Sequence, residues 1–312
     1  MKIGVIFNPV AGAGKARREW PQFDAELRRQ LGAFTLCQTT RPDDATTLAQ
    51  EMAEDGFEMI VAAGGDGTIS ETAGGILRSG KTAAHQPILA ILPCGTGSDL
   101  ARTLALTGTP AEMTARIANG RNRQIDAGRV TFIDDEGRPA QRHFINIASL
   151  GLSGPTSRAV NRAKRSGTAS GQLVFMWHTI RELIRYQFQD VLITVDDAAP
   201  MEARIALVAA ANGRYFGGGM MIAPDASEED GLLDIVIFRG AAKLKLIADM
   251  RLLYTGSHTN HPAVTILRGR KLTVEPLGDA ARNTASLDVD GEAPGKIPAT
   301  FEILPKALTV RC

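Results

Sequence analysis

Hydrophobic and polar positions along residues 1–125 follow two alternating patterns, short apolar runs and longer amphipathic segments. The apolar runs predict strands at KIGVIF, FTLCQT, EMIVAA and PILAILP. The amphipathic segments predict helices at ARREWPQFDAELRRQL, DATTLAQEMAEDG, TISETAGGILRSG and PAEMTARIANG. Strands that alternate with helices are typical of a parallel sheet covered on both faces. We therefore predict a doubly wound α/β domain over residues 1–125.

After Asp126 the pattern changes to paired strands. DAGRVTFI and RHFINIASLG flank the turn DDEGRP, and FQDVLITV and EARIALVAAANG flank DDAAPM. Further strands are predicted at LLDIVIF, AVTILRG, KLTVEP, ASLDVDG and TFEILP, and helices at GQLVFMWHTIRELIRY and AAKLKLIADMRLLYTG. Successive hairpins are typical of antiparallel sheets. We predict an antiparallel β-sandwich domain over residues 126–302.

Length and charge narrow the class of protein. A chain of 312 residues suits two medium domains. The 35 basic and 34 acidic residues give a net charge of +1, so no nucleic-acid partner is expected. The first apolar run is shorter than that of a signal peptide, and no stretch approaches the roughly 20 apolar residues of a membrane span. Neither the three cysteines nor the five histidines have metal-ligand spacing. A cytoplasmic location is the expectation.

The stretch MIVAAGGDGTISETAGGIL carries the first chemical signal, a strand that passes through Gly64–Thr68 into a helix. Backbone N–H groups at a helix start favour an anion such as phosphate. Two familiar nucleotide patterns fail nearby, because Pro9 replaces the first glycine of a Walker loop and Arg17 the third glycine of a dinucleotide loop. A carboxylate at Asp66 suits a phosphate turn if a metal or a proton transfer is involved. An N-cap in a tight turn is the alternative.

Two further glycine turns repeat the scheme, at NPVAGAG (8–14) and CGTGSD (94–99). Parallel strands deliver all three turns to one carboxyl edge of the sheet, where ligands of such sheets bind. The sequence thus predicts a nucleotide cleft. A flexible loop and a helix cap are the alternatives for the two added turns.

Carboxylates in the second half give a second signal. In LDVDGE, a strand would project Asp288, Asp290 and Glu292 to one face, and a polar hairpin is the alternative. A charged turn is the alternative for EEDGLLD. In VFMWHTIREL, the apolar residues Phe175, Met176 and Trp177 are interpreted as helix core, with contact to an acyl chain as the alternative. RAVNRAKR (158–165) is interpreted as a solvated loop, or as a contact for anionic headgroups.

The chain contains the six motifs NPVAGAGK, GGDGTISE, LPCGTGSDLAR, FINIASLGLSG, ANGRYFGGGMMIAPDASEEDGLLDIVIF and LDVDGEAPG. Together they resemble those of the bacterial diacylglycerol kinase-like lipid kinases, a branch that includes sphingosine and ceramide kinases. The resemblance implies an N-terminal α/β domain, a C-terminal β-sandwich, and ATP in the cleft between them. It also implies that a final strand, about 303–312, returns to the first domain.

The resemblance implies residue roles as well. Glu292 would be the proton acceptor, with Asp66 as the rival base, and Mg²⁺ would be held by Asp230 with the backbone oxygens of Ser227 and Leu232. The nucleotide-binding positions would be Asn8, Thr39, Gly64, Gly65, Asp66, Gly67, Thr68, Ile69, Ser70, Gly95 and Thr96, with Thr40 an alternative to Thr39. Ser70 and Ser98 replace asparagines of the family pattern, which puts nucleotide affinity in question.

The resulting expectation is an ATP-dependent, Mg²⁺-requiring lipid kinase. It would phosphorylate a hydroxyl of diacylglycerol, a sphingoid base, a ceramide or a related glycerolipid. The enzyme would contact the inner face of the membrane peripherally, and a homodimer remains open. An NAD kinase and a non-catalytic nucleotide- or lipid-binding regulator are the alternatives.

Overall fold

The computed structural model describes residues 1–95, 99–165, 172–278 and 284–312. It divides into two compact units, which we call unit 1 (Met1–Ala127 with Pro305–Cys312) and unit 2 (Gly128–Leu304). The sequence analysis places the corresponding boundaries at 125/126 and 302/303.

Unit 1 is built on a parallel sheet with the strand order β2-β1-β3-β4. Its strands are β1 (Ile3–Phe7), β2 (Thr35–Gln38), β3 (Met59–Gly64) and β4 (Ile88–Pro93). Its helices are α1 (Lys15–Leu31), α2 (Asp44–Glu54), α3 (Asp66–Arg78), α4 (Asp99–Thr103) and α5 (Pro110–Asn119).

Burial explains why these segments form a parallel sheet. All residues of β1 and β3 are buried, as expected for central strands covered on both faces. The end of the chain adds to the same sheet, because Val310 and Arg311 pair in parallel with Leu89 and Ala90 of β4.

Unit 2 is mainly antiparallel. Its strands are β5 (Asn122–Asp134, which begins in unit 1), β6 (Pro139–Phe144), β7 (Ile147–Gly151), β8 (Gln189–Val195), β9 (Met201–Ala211), β10 (Tyr215–Phe216), β11 (Met220–Met221), β12 (Leu233–Arg239), β13 (Val264–Gly269), β14 (Lys271–Pro276), β15 (Leu287–Val289) and β16 (Gly295–Arg311, which ends in unit 1). Its helices are α6 (Ser153–Arg165), α7 (Gln172–Arg185) and α8 (Lys243–Asp249), followed by 3-10 helices at Met250–Tyr254 and Ser257–Asn260.

The strands β13-β12-β9-β8-β14-β16 lie side by side, and β7 pairs with both β9 and β15. A core of large aliphatic and aromatic side chains, among them Phe144, Leu233 and Phe301, fills the space against them. The parallel-sheet unit and the β-sandwich-like unit confirm the predicted fold class.

Two local predictions for unit 2 are wrong. RHFINIASLG forms two strands and not one, because the N–H groups of Ile145, Asn146 and Ile147 turn to the Asp290 carboxylate. RAVNRAKR belongs to helix α6 and not to a loop, and its Arg158 pairs with Asp135 at 2.7 Å.

Within the described residues, no helix combines the length and the apolar character that crossing a bilayer requires.

Candidate functional site

The turn after β1 is fixed by Asn8. Its backbone N–H donates to the Ala63 carbonyl at 2.9 Å, which aligns the ends of β1 and β3. Its side chain accepts the N–H of Val10 at 3.1 Å and donates to the Thr68 hydroxyl at 2.9 Å. Asn8 therefore joins the first glycine turn to the first turn of α3.

The second turn brings the backbone of α3 close to its own strand. A Cβ atom added to Gly64 would lie 2.6 Å from the Thr68 hydroxyl oxygen, so a larger residue would displace the group that Asn8 binds. Gly65 precedes the helix, and Asp66, Gly67 and Thr68 form its first turn. Backbone N–H groups at a helix start favour an anion at this position.

The third turn joins the other two. The Cys94 N–H donates to the Gly64 carbonyl at 2.8 Å, which aligns the ends of β4 and β3. A Cβ atom built on Gly65 would lie 3.8 Å from the Gly95 Cα, and one built on Gly12 would lie 3.5 Å from it. The three glycine turns thus meet at one edge of the unit 1 sheet, as the strand pattern predicts. Thr96 and Ser98 lie outside the described residues.

Asp66 lies between the second and third turns. Its side chain is partly exposed, and its Oδ1 accepts the N–H of Leu100, in the first turn of α4, at a long 3.4 Å. Asp66 does not cap its own helix, because the N-cap of α3 is Gly65 and no side chain caps it. Its carboxylate instead contacts the start of α4, and it follows Gly65 where the glycine turns meet. A phosphate-linked role for Asp66 stays a prediction.

The remaining nucleotide positions differ in what they offer. Ile69 is fully buried, so its side chain belongs to the core and only its backbone is left for a ligand. Ser70 follows it on α3 and is partly exposed. The Thr40 hydroxyl donates to Asp44 at 2.8 Å, whereas the Thr39 N–H donates to the Phe7 carbonyl at 2.9 Å and continues the sheet edge. The Thr40 side chain thus has a partner within unit 1, and a ligand-binding role for Thr39 stays a prediction.

The carboxylates of LDVDGE do not share one face. Strand β15 ends at Val289, and Asp290 and Gly291, with φ of 49° and 91°, form a two-residue hairpin turn. Val289 and Glu292 close the hairpin through N–H···O bonds of 2.7 and 3.0 Å. Asp290 accepts the N–H groups of residues 145–147, which holds the turn against the start of β7. The backbone of Glu292 is therefore well fixed.

Asp288 is the buried member of this group. It is 5% exposed, and its carboxylate accepts the Ser157 hydroxyl at 2.9 Å and the Gly291 N–H at 2.8 Å. Burial is the main cause that raises the pKa of Asp288 to about 7, and the two hydrogen bonds oppose it. The protein therefore holds a carboxyl group that titrates near neutral pH beside the turn that carries Glu292.

Asp288→Asn should flatten the dependence of stability on pH. A carboxyl whose folded-state pKa is raised binds more protons in the folded than in the unfolded state, so wild-type stability falls as the pH rises from about 4 to about 7. In asparagine the amide oxygen can accept the Gly291 N–H and the amide NH₂ can donate to the Ser157 hydroxyl oxygen, so both contacts remain without the charge. The free energy of unfolding, measured in urea, should fall between pH 5 and pH 8 by about 1–3 kcal/mol more in the wild type than in the variant. Equal slopes for the two proteins would contradict the raised pKa.

Unit 2 also contains an apolar pocket, which the sequence analysis does not predict. Its empty volume is about 840 Å³, part of it open to solvent. Apolar side chains from helices and strands dominate its lining, including Phe175, Leu183, Phe216, Met220, Phe238 and Leu253. Pockets that are lined mainly by apolar side chains bind small, largely apolar molecules. Phe175 therefore contacts the pocket and not a helix core.

Polar groups enter this pocket at a few positions. The His261 Nε2 lies 3.2 Å from the Asp249 Oδ2, and the Ala263 N–H donates to the His261 Nδ1 at 3.1 Å. In the neutral ring the proton is therefore on Nε2. Neither Nε2 nor the Asp249 Oδ2 has an aligned hydrogen-bond partner among the described residues. Both atoms are buried and face each other at the pocket lining.

The proposed metal segment places Asp230 beside an arginine. The Asp230 Oδ1 accepts the Leu232 N–H at 3.0 Å, and its Oδ2 contacts the Arg268 guanidinium. The Ser227 hydroxyl accepts the Glu229 N–H at 3.4 Å. A carboxylate and backbone oxygens are the ligand types that Mg²⁺ prefers, so the donor set fits this ion in competition with Arg268. Within the described part of the chain, no three His, Cys, Asp or Glu side chains form a metal cluster.

Comparisons with known proteins agree with this geometry. Residues 2–130 match the family model of the diacylglycerol kinase catalytic domain, and residues 146–312 match the YegS C-terminal NAD kinase beta sandwich-like domain. A diacylglycerol kinase of Staphylococcus saprophyticus is 28% identical over 98% of this chain and 93% of its own length. A diacylglycerol kinase of Staphylococcus aureus strain MRSA252 is 26% identical over 98% of this chain and 90% of its own length.

Among solved structures, a diacylglycerol kinase from Bacillus anthracis strain Sterne aligns with a TM-score of 0.71 at 22% identity. The alignment covers 99% of this chain and 96% of that one, and at this identity it supports the fold alone. The match to the diacylglycerol kinase catalytic domain and to curated diacylglycerol kinases shows that the chain is a kinase, an enzyme that transfers a phosphoryl group to an alcohol. The chain belongs to the bacterial diacylglycerol kinase-like family of lipid kinases.

Proposed function

We propose that the chain uses ATP to phosphorylate a hydroxyl group of a membrane lipid that carries one or two acyl or alkyl chains. The observation that carries this proposal is the apolar pocket of unit 2. Long hydrocarbon chains gain about 0.8 kcal/mol for each buried CH₂ group, so such a pocket favours a lipid acceptor. A water-soluble acceptor such as NAD has no use for it, which disfavours the NAD kinase alternative.

ATP would bind at the joined glycine turns of unit 1. The N–H groups at the start of α3 would receive its phosphates, and Thr39 and Ser70 would lie among the further contacts. Asn8 supports this arrangement by holding the Thr68 hydroxyl. The lipid hydroxyl oxygen would attack the γ-phosphorus while the bond to the ADP oxygen breaks. Glu292 would take the proton that the hydroxyl releases.

Diacylglycerol, a sphingoid base, a ceramide and a related glycerolipid all fit this chemistry. The Asp249 and His261 side chains would meet a polar group of whichever lipid binds. We propose that the enzyme works from the cytoplasm in peripheral contact with the inner face of the membrane.

The test of the proposed function is to incubate the purified protein with γ-labelled ATP, Mg²⁺ and fractionated lipid extract, with NAD in a parallel reaction. Label should enter one lipid fraction, and mass spectrometry should identify a phosphorylated lipid. Label in NADP would overturn the proposal in favour of an NAD kinase. ATP binding without transfer to any lipid fraction would support the regulator alternative.

We further propose that Asp230, with the backbone oxygens of Ser227 and Leu232, holds a structural Mg²⁺ ion. When bound, Mg²⁺ would supply positive charge against the carboxylate and link neighbouring backbone oxygens. Asp230→Ala should raise the Mg²⁺ concentration needed for half-maximal activity and remove the increase in melting temperature that Mg²⁺ gives the wild type.

Arg268 provides the matched comparison, because its guanidinium competes for the same carboxylate. Arg268→Gln should have the opposite effect on the Mg²⁺ requirement and lower it. If Asp230→Ala leaves the Mg²⁺ dependence of both activity and melting temperature unchanged, the metal site is wrong. The segment is then a charged turn that Arg268 stabilises.

A further inference from the structure

Helix α7 exposes apolar side chains along one face. Leu173, Trp177 and Ile184 are 80%, 64% and 60% exposed. They are spaced by four and seven residues, so they lie on the same side of the helix. Single exposed apolar residues are ordinary, but an aligned stripe that includes tryptophan marks an interaction surface. The interpretation of Trp177 as helix core is therefore wrong.

Helix α8 continues this surface. The Lys243 Nζ donates to the Ile184 carbonyl at 2.7 Å, which brings the start of α8 to the end of α7. The next residue, Leu244, is 83% exposed. We call Leu173, Trp177, Ile184 and Leu244 together the α7–α8 surface.

The same two helices line the apolar pocket with other residues. Phe175, Thr179 and Leu183 of α7 and Leu246 of α8 contribute to its lining. Both helices thus have apolar side chains on two sides, toward the pocket and toward the outside of unit 2. An outer helix face that contacts only water is usually polar.

Charge distinguishes the kind of partner. Exposed basic residues on the two helices include Arg181, Arg185 and Lys245, and α6, which packs against α7, adds Arg162 and Lys164. On α7 and α8 the acidic residues are Glu182 and Asp249, and Asp249 contributes to the pocket lining. The core of a protein interface is depleted of charge, whereas helices that lie on anionic membranes mix Trp and Leu with Lys and Arg.

We propose that the α7–α8 surface docks on an anionic lipid bilayer. Its four apolar side chains enter the boundary between headgroups and acyl chains, where tryptophan is favoured. Arg181, Arg185 and Lys245 contact lipid phosphates. The pocket then lies directly behind the docked helices. This proposal deepens the proposed function, because it specifies how a lipid acceptor reaches the protein from the bilayer.

Tryptophan fluorescence tests the docking directly. The chain has two tryptophans, and Trp20 stacks on Phe7 in unit 1 with ring centroids 4.1 Å apart. Trp20→Phe keeps an aromatic partner for Phe7 and leaves Trp177 as the reporter. With vesicles of phosphatidylcholine and phosphatidylglycerol, Trp177 emission should shift to the blue, and brominated acyl chains should quench it. Added salt and vesicles of phosphatidylcholine alone should weaken the response.

Vesicle co-sedimentation provides the quantitative test. Leu173→Ser and Leu244→Ser should each lower the vesicle partition constant on the order of tenfold, and the pair on the order of 10²-fold. Val10→Ser is the matched control, because Val10 is an apolar side chain that is 70% exposed and belongs to unit 1 and not to the α7–α8 surface. The control should bind vesicles like the wild type.

Three outcomes would overturn the docking proposal. The first is that Trp177 emission shows no blue shift with anionic vesicles. The second is that Val10→Ser loses as much vesicle binding as Leu173→Ser. The third is that the protein forms a dimer without lipid and Leu173→Ser dissociates it, which would assign the surface to a second copy of the chain. Vesicle binding requires no turnover, so the two proposals fail separately. Trp177 insertion without any labelled lipid would support docking and overturn the proposed function. Labelled lipid without vesicle binding would support the proposed function and overturn the docking proposal.

Discussion

Glu292→Gln is expected to lower kcat by roughly 10²–10⁴-fold while ATP binding is retained. Glutamine keeps the size of the side chain and removes the proton acceptor. The acidic limb of the pH–rate profile should disappear with the carboxylate, since that limb would report its protonation. Steady-state kinetics over a range of pH values, with ATP binding followed by calorimetry, provide the measurement.

The local structure makes this substitution interpretable. The backbone of Glu292 closes a hairpin with Val289, and Asp290 holds the turn through the N–H groups of residues 145–147. These bonds do not involve the Glu292 carboxylate, so we expect the fold to persist. A near-normal kcat with the acidic limb intact would rule out Glu292 as the base.

Glu302→Gln provides a matched control in the same unit. Glu302 pairs with Arg129 at 2.7 Å, and both side chains are about one-third exposed to water. Such pairs contribute about 0–1 kcal/mol to stability, so this variant should keep both its kcat and its pH profile. A loss similar to that of Glu292→Gln would point to a general effect of removing a carboxylate from unit 2.

The sequence predicts unit 1 well because its signals are local. The apolar run at Met59–Gly64 is buried at every position, and glycines at the ends of β1, β3 and β4 lie where parallel strands must bring them together. The start of α3 differs slightly, because the helix begins at Asp66 and not after the glycines. Local pattern cannot show how closely Gly64 packs against Thr68.

The sequence predicts unit 2 less well because its signals depend on distant contacts. The split between β6 and β7 is caused by Asp290, which lies more than 140 residues further along the chain. Helix α6 combines a polar sequence with buried positions such as Thr156 and Val160, which only the fold reveals. The pocket collects residues from several separate segments. His258 and His261 carry no spacing signal and are recognised only from their positions in its lining.

Asp66→Asn is expected to lower turnover by at least about 10²-fold with little change in melting temperature. The reason is the position of the carboxylate, because Gly12, Gly65 and Gly95 meet beside it and the start of α3 favours an anionic ligand. A negative charge there is useful only if it binds a metal ion or takes a proton. Asparagine keeps the oxygen that accepts the Leu100 N–H, so the substitution removes the charge and keeps this contact.

Asp66→Ala separates catalysis from capping, because alanine removes both the charge and the acceptor. If Asp66 only caps α4, Asp66→Asn should keep full activity while Asp66→Ala loses about 0.5–2 kcal/mol of stability. If Asp66 takes part in phosphoryl transfer, both variants should lose turnover, and only Asp66→Ala should also lose stability.

The two candidate bases, Asp66 and Glu292, are distinguished by the pH–rate profiles of their variants. Should Asp66→Asn lose the acidic limb while Glu292→Gln keeps it, the proton acceptor lies on the glycine turn of unit 1.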